Sequence, residues 1–247
     1  MKKLISILFL IVTLSCNNED AGDCFQTAGE IIQQEIEVGT FTKILVNKKI
    51  ELLITQGPQQ KVVVETGENL LNDISAEVVD NQLVLTNHNT CNFLRDYGIT
   101  KIHITSPNLT EVRNASELNV TSIGTLSYPN LYLRSTGEKS KFLSVGDWHL
   151  NIDNEVLTIW CNGIANFYME GRTKTLNMDF TDGDSRFEGQ NFKAEKVTVS
   201  HVSSNDLLIY PIESLKASIH STGDLILYHE PPIIDVDEQS VGKLIIK

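Results

Sequence analysis

Apolar and polar residues alternate with a period of two in short runs along most of the chain, among them KILV, IELLIT, KVVVE, AEVV, QLVLT and KIHIT. Such alternation turns one side of a strand to a core and the other to water. Gly, Pro, Asn and Asp separate the runs, with Pro58 and Pro107 at strand boundaries. In VVDNQLVL, Asp80 and Asn81 can both take positive φ, which predicts a tight hairpin. Only AGEIIQQE from Ala28 and GENLLNDI from Gly67 read as helical turns.

After Pro107 one unit recurs, clearest in LKASIHSTGDLILY from Leu215 to Tyr228. An apolar alternation meets a small polar corner, and a second apolar run follows. The corners are Asn114-Ala115-Ser116-Glu117, Ser135-Thr136-Gly137-Glu138, Asp153-Asn154-Glu155, Thr181-Asp182-Gly183-Asp184, Ser203-Ser204-Asn205-Asp206 and Ser221-Thr222-Gly223-Asp224. Their spacing of roughly 20 residues is that of one β-solenoid coil. A single coil cannot bury its inward side chains, but coils stacked about 4.8 Å apart share a core and saturate each other's backbone. The pattern predicts an all-β fold: a right-handed parallel β-helix over residues 106–247, built on an N-terminal β portion over residues 36–105. The coil at Phe180 falls out of phase by one residue, which predicts a bulge there. A sandwich of antiparallel hairpins is the competing architecture.

The phrases ENLLNDISAEVVDNQLVLTNHN, RDYGITKIHITSPNLTEVRNASELNVTS, LYHEPPIID and VGKLIIK, together with the spaced corners, resemble the head GIN domain family of auto-transporter adhesin heads. The resemblance runs from about Phe41 to Lys247. It implies parallel coils in a secreted or lipid-anchored bacterial protein and brings no established activity. Ser-Thr-Gly, Asn-Ala-Ser and Thr-Asp-Gly stand where family members often carry Ser-Gly-Ser.

The first residues, MKKLISILFLIVTLSC, place two lysines before an apolar run that is too short for a membrane span. Residues 1–15 read as a secretory leader of the bacterial lipoprotein type, with lipid attachment at Cys16 and a tether over residues 16–35. The acidic run Asn17-Asn18-Glu19-Asp20 looks like the surface-export signal of lipoproteins in the Bacteroidetes group. The expected location is the cell envelope, on the outer membrane, with the surface and periplasmic sides both open. Removing residues 1–15 takes away Lys2 and Lys3 and no acid, so the formal charge moves from −12 to −14. A body this acidic disfavours nucleic acid and anionic headgroups as partners. Export permits a disulfide; Cys24 with Cys91 is the favoured pair, free thiols are the alternative, and Cys161 after LTIW reads as a buried thiol.

Aligned on their corners, Glu117, Glu138, Glu155, Asp184, Asp206 and Asp224 fall into one column. Like charges one coil apart repel by about 1 kcal/mol in water. Such a column persists only where it is solvated, interleaved with cations or hydrogen-bonded to corner amides. Asp179, Asp182 and Asp184 form the densest cluster and are the candidate Ca²⁺ ligands; otherwise no cofactor is expected. The histidines show no metal-ligand spacing, and Gly183-Asp184-Ser185 lacks the strand-to-helix context of a hydrolase nucleophile. Trp160 within LTIWC reads as core, and RDYG at Arg95 as a latch.

Three functions remain open at this point. The first is a non-catalytic envelope module that adheres to a protein or polysaccharide, or serves a structural role. The second is a β-helical protein that binds or degrades polysaccharide, and the third a regulatory partner protein, with self-association among its modes.

Overall fold

The computed structural model describes residues 26–89, 96–136 and 143–247. The leader, Cys16, Cys24, Cys91, Arg95, Gly137 and Glu138 lie outside the described residues. Within them the chain is all-β, one curled, mixed sheet of seventeen strands. The first nine strands are β1 (Ile31–Glu35), β2 (Lys43–Val46), β3 (Glu51–Gln56), β4 (Lys61–Gly67), β5 (Ile74–Val79), β6 (Gln82–Asn87), β7 (Lys101–Ser106), β8 (Glu111–Asn114) and β9 (Val120–Leu126). They are followed by β10 (Asn130–Ser135), β11 (Trp148–Cys161), β12 (Asn166–Phe180), β13 (Arg186–His201), β14 (Leu207–Ile219), β15 (Leu225–Leu227), β16 (Ile233–Glu238) and β17 (Leu244–Ile246).

The pairings resolve the sheet into two ladders. Ladder A runs β5-β6-β2-β8-β10, continues through the second halves of β11 to β14, and ends on β16. Ladder B runs β1-β4-β7-β3-β9, continues through the first halves of the same long strands, and ends on β15 and β17. Each long strand therefore travels along ladder B, bends, and travels along ladder A; a polar corner then returns the chain to ladder B one level on. Phe167 stands beside Phe187, Phe187 beside Leu207, and Leu207 beside Leu225. From β8 onward every pairing is parallel, which replaces the hairpin sandwich.

The regular alternation fills the space between the ladders. Trp148, Leu150 and Ile152 of ladder B and Leu157, Ile159 and Cys161 of ladder A are buried in one cluster, to which β12, β13 and β14 add residues of both ladders. Burial of a large apolar side chain contributes about 1.5–3 kcal/mol. The buried residues of adjacent parallel strands therefore sustain one another. Trp148 lies against Phe167 with centroids 5.6 Å apart, and Phe167 meets Phe180 edge-on at 5.7 Å.

Several expectations change. Residues 36–105 and the following strands share one sheet, because β2 and β3 pair with β6 and β7 on one side and with β8 and β9 on the other. Within the span expected to be a tether, Ile31–Glu35 is a strand antiparallel to β4. That strand also replaces the helical turn expected from Ala28, and it is held by its backbone pairing with Ile31 exposed. GENLLNDI does form a turn, of 3₁₀ type, over Glu68–Asp73. Asp80 and Asn81 take φ of 49° and 63° in the β5–β6 hairpin. Phe180 is in register with Cys161 and His201, so ladder A has no bulge there; the irregularities lie in ladder B, beside Tyr168 and His149, and between β13 and β14.

Candidate binding face and the polar corner

The corner between ladder A and ladder B is built from short polar side chains that bond to nearby backbone. Asn114 accepts from the Ser116 amide at 3.0 Å and donates to the Leu118 carbonyl at 3.0 Å. Ser203 donates to the Ser185 carbonyl at 2.6 Å and accepts from the Asn205 amide. These contacts take up turn groups that no strand partner reaches. Beneath the corner, Ser135, Cys161, Phe180, His201 and Ile219 form an inward column, one residue per coil. Cys161 is a buried free thiol 2.9 Å from the Ser185 hydroxyl, and burial raises its pKa.

His201 is fully buried, with its ring set against the Asp224 and Gly223 backbone. Burial lowers its pKa from 6.5, and the Asp224 and Gly223 backbone and the Asp206 and Asp224 carboxylates offset part of that shift. The unfolded chain therefore binds a proton below pH 6.5 that the folded chain refuses, and stability falls as the pH drops from 6.5 toward the depressed value, by at most about 1.4 kcal/mol per unit. Denaturant titrations at pH 7.5 and 5.5 should show this loss in the native sequence and its disappearance in His201→Leu. An unchanged slope in the variant would assign the effect to other groups.

The single column of six acids breaks up in three dimensions. Asp206 and Asp224 do occupy equivalent positions, one step before Leu207 and Leu225. Asp224 donates its amide to Asp206 Oδ1 at 3.0 Å, and Lys243 donates its amide to Asp224 Oδ1 at 2.8 Å. Farther up the ladder Asp147 donates to Asn119 Oδ1 and Asn166 to Asp147 Oδ1. A side chain at the first position of ladder B thus holds the amide one level on. Arg186 flanks the acids, with Nη1 3.5 Å from Asp206 Oδ2. Asp184 sits earlier in its corner and accepts from the Ser204 hydroxyl at 2.8 Å. Glu117 accepts from the Lys49 amide and from the Tyr97 hydroxyl. Glu155 is not at this corner at all: it lies inside β11, at the opposite bend, paired with Lys174 at 2.7 Å. The long strands pass that bend without a break, so Asp153-Asn154-Glu155 imitates a corner it does not form. Gly183 and Gly223 do share the corner edge, where Ser204 donates to the Gly183 carbonyl and Gly242 to that of Ser221.

Asp179, Asp182 and Asp184 do not meet. Asp179 is outward on β12 between Trp160 and Ser200, whereas Asp182 accepts from the Gly183 amide at 2.7 Å. Among the described residues no three His, Cys, Asp or Glu side chains are placed to hold a cation.

The outer face of ladder A carries a shallow groove of about 650 Å³. Residues alternate across the sheet, so Ile159 and Cys161 point inward and Trp160 between them points out; it is half-buried, not core. Trp160 and Tyr132 bound the groove on one side, with the Arg134 guanidinium 5.0 Å and 5.7 Å from their ring centres. Arg134 is held by Glu111 at 3.1 Å. Thr198, Ser200 and Ser218 keep the middle low, and Asp235 and Asp237 of β16 bound the far side. An aromatic rim beside short hydroxyl side chains and scattered charges suits a polar, extended ligand. The alternation rule contained this signal, and the surrounding apolar residues hid it.

No helix among the described residues is long and apolar enough to cross a membrane. No curated protein matches the chain. Among solved structures, a "putative adhesin" from Bacteroides fragilis NCTC 9343 superposes with a TM-score of 0.80 at 22% identity, covering 90% of this chain and 99% of its own. Another "putative adhesin", from Parabacteroides distasonis ATCC 8503, gives 0.68 at 13% identity, covering 90% and 99%. A "putative lipid binding protein" from the same strain gives 0.60 at 15%, covering 88% and 97%. These likenesses establish a shared fold. The family model described as "Putative auto-transporter adhesin, head GIN domain" matches residues 40–231, and the chain belongs to that family.

Proposed function

We propose that the chain is a non-catalytic adhesion module of the cell envelope, anchored by lipid at Cys16 and wound as a right-handed β-helix, that binds uncharged polysaccharide along the outer face of ladder A. The leader pattern supports the anchor, and the strong preference of parallel crossovers for one hand supports the winding. The family description supports adhesion. The observation that carries the reading is the groove, with Trp160 and Tyr132 at one side and a run of Thr198, Ser200 and Ser218 across its middle. The acidic composition argues against a polyanion.

Pull-down of the full chain on a panel of insoluble neutral polysaccharides tests this. Trp160→Ala should weaken retention by about tenfold, as loss of a central aromatic anchor does, with the fold intact by circular dichroism. Equal retention of the variant would overturn the groove as the contact face. Release of shortened chains from the same polymers would replace adhesion by cleavage.

A further inference from the structure

Ladder B carries an aromatic stack on its outer face that stops short. His149 of β11 and Tyr168 of β12 are register neighbours, with ring centroids 4.6 Å apart and planes within 5°. That separation matches the spacing of adjacent strands, so the rings stand across the ladder axis. The face of Tyr168 remote from His149 is therefore turned toward β13. The residue opposite on β13 is Glu188, whose carboxylate is drawn to Arg186 and leaves the ring uncovered. Tyr168 is 40% exposed.

The strands around it break register. Two steps along β12, from Tyr168 to Glu170, span three along β13, from Glu188 to Asn191. Two steps along β11, from His149 to Asn151, span four along β9, from Thr121 to Thr125. Bulges re-aim side chains and cluster where a sheet meets a ligand. Here they frame a depression of about 360 Å³ rimmed by Asn151, Glu170, Gln190 and Asn191. Gln190 Oε1 is buried and accepts no hydrogen bond from the described residues. An acceptor in that condition costs about 1–3 kcal/mol until a donor arrives.

We propose that this depression is a second binding site, on the face away from ladder A's groove, for a single neutral pyranose ring. The apolar face of the sugar continues the His149–Tyr168 stack. Its hydroxyls donate to the Glu170 carboxylate and, once the Gln190 side chain turns outward, to Gln190 Oε1, and accept from the side-chain amides of Asn151 and Asn191. The Glu170 carboxylate at the rim disfavours uronic and sulfated sugars, since two like charges brought together without a cation repel.

Saturation-transfer NMR on the full chain, with methyl β-glucopyranoside, methyl β-galactopyranoside and N-acetylglucosamine as probes and polygalacturonic acid as the anionic control, tests the assignment. At least one neutral probe should receive saturation on its ring protons. Tyr168→Ala should weaken its binding by about tenfold, and Gln190→Ala by a smaller factor, whereas Tyr168→Phe keeps the ring and the affinity. Trp160→Ala should leave this binding unchanged, which separates the site from the groove of ladder A. Absence of transfer to every neutral probe would overturn the proposal. So would equal binding by polygalacturonic acid, or a loss of binding confined to Trp160→Ala. Circular dichroism melting of each variant guards against a folding defect.

Discussion

Gly183→Ala should destabilise the protein by about 3 kcal/mol or more, among the largest effects of any single exchange outside the hydrophobic interior. Gly183 turns the corner between β12 and β13 with φ of +84°, and a Cβ there would lie 2.0 Å from the Gly163 carbonyl oxygen. That oxygen cannot retreat, because it accepts the Asp184 amide at 2.9 Å. The close approach is the corner's way of stacking one coil on the next. Gly124 provides the comparison: its φ is +81°, yet nothing stands within 4 Å of a Cβ built on it. Gly124→Ala should show the conformational strain alone, about 1–2 kcal/mol. Chemical denaturation of the two variants measures the difference; equal losses would mean that the corner yields and the contact carries no cost.

Trp148→Ala is expected to cost about 3–5 kcal/mol and to lower the melting midpoint by roughly 10 °C. Trp148 is fully buried where β9, β11 and β12 meet, stacked on Phe167, which in turn touches Phe180. Its removal opens a cavity in the part of the stack that joins the short early strands to the long ones, and neighbours on the paired backbones have little freedom to fill it. Trp148 Nε1 is buried with no acceptor among the described residues. Trp148→Phe should therefore cost far less than the alanine exchange, because the lost area is partly offset by removal of an unpaired donor. Differential scanning calorimetry of both variants distinguishes the two contributions.

Much of this architecture was legible in the sequence, and the failures have physical causes. The corners after Phe180, His201 and Ile219 could be read because small polar residues interrupt an alternation that resumes on the other side. The bend at Asp153-Asn154-Glu155 has the same composition, but β11 runs through it as continuous strand, so composition alone could not separate a corner from a bend. The placement of β2 and β3 between later strands was not legible, since nothing in the spacing of Ile44 records that it stands beside both Leu83 and Val112. Trp160 was misassigned for a different reason: its parity said outward, while its apolar neighbours said inward. On ladder B the stack at Tyr168 depends on bulges, which shift parity locally and erase the pattern that would reveal them.

The interleaving of β2 and β3 bears on the route by which the protein forms. From β11 to β17 each strand finds its partner about 20 residues away, a short search that lets pairing spread level by level. Ile44 must instead wait for Leu83 and Val112, far along the chain, before either side of its strand is satisfied. The strands synthesised first thus wait longer for their partners than the later ones do, and until β6 to β9 emerge their bare edges are open to unwanted pairing.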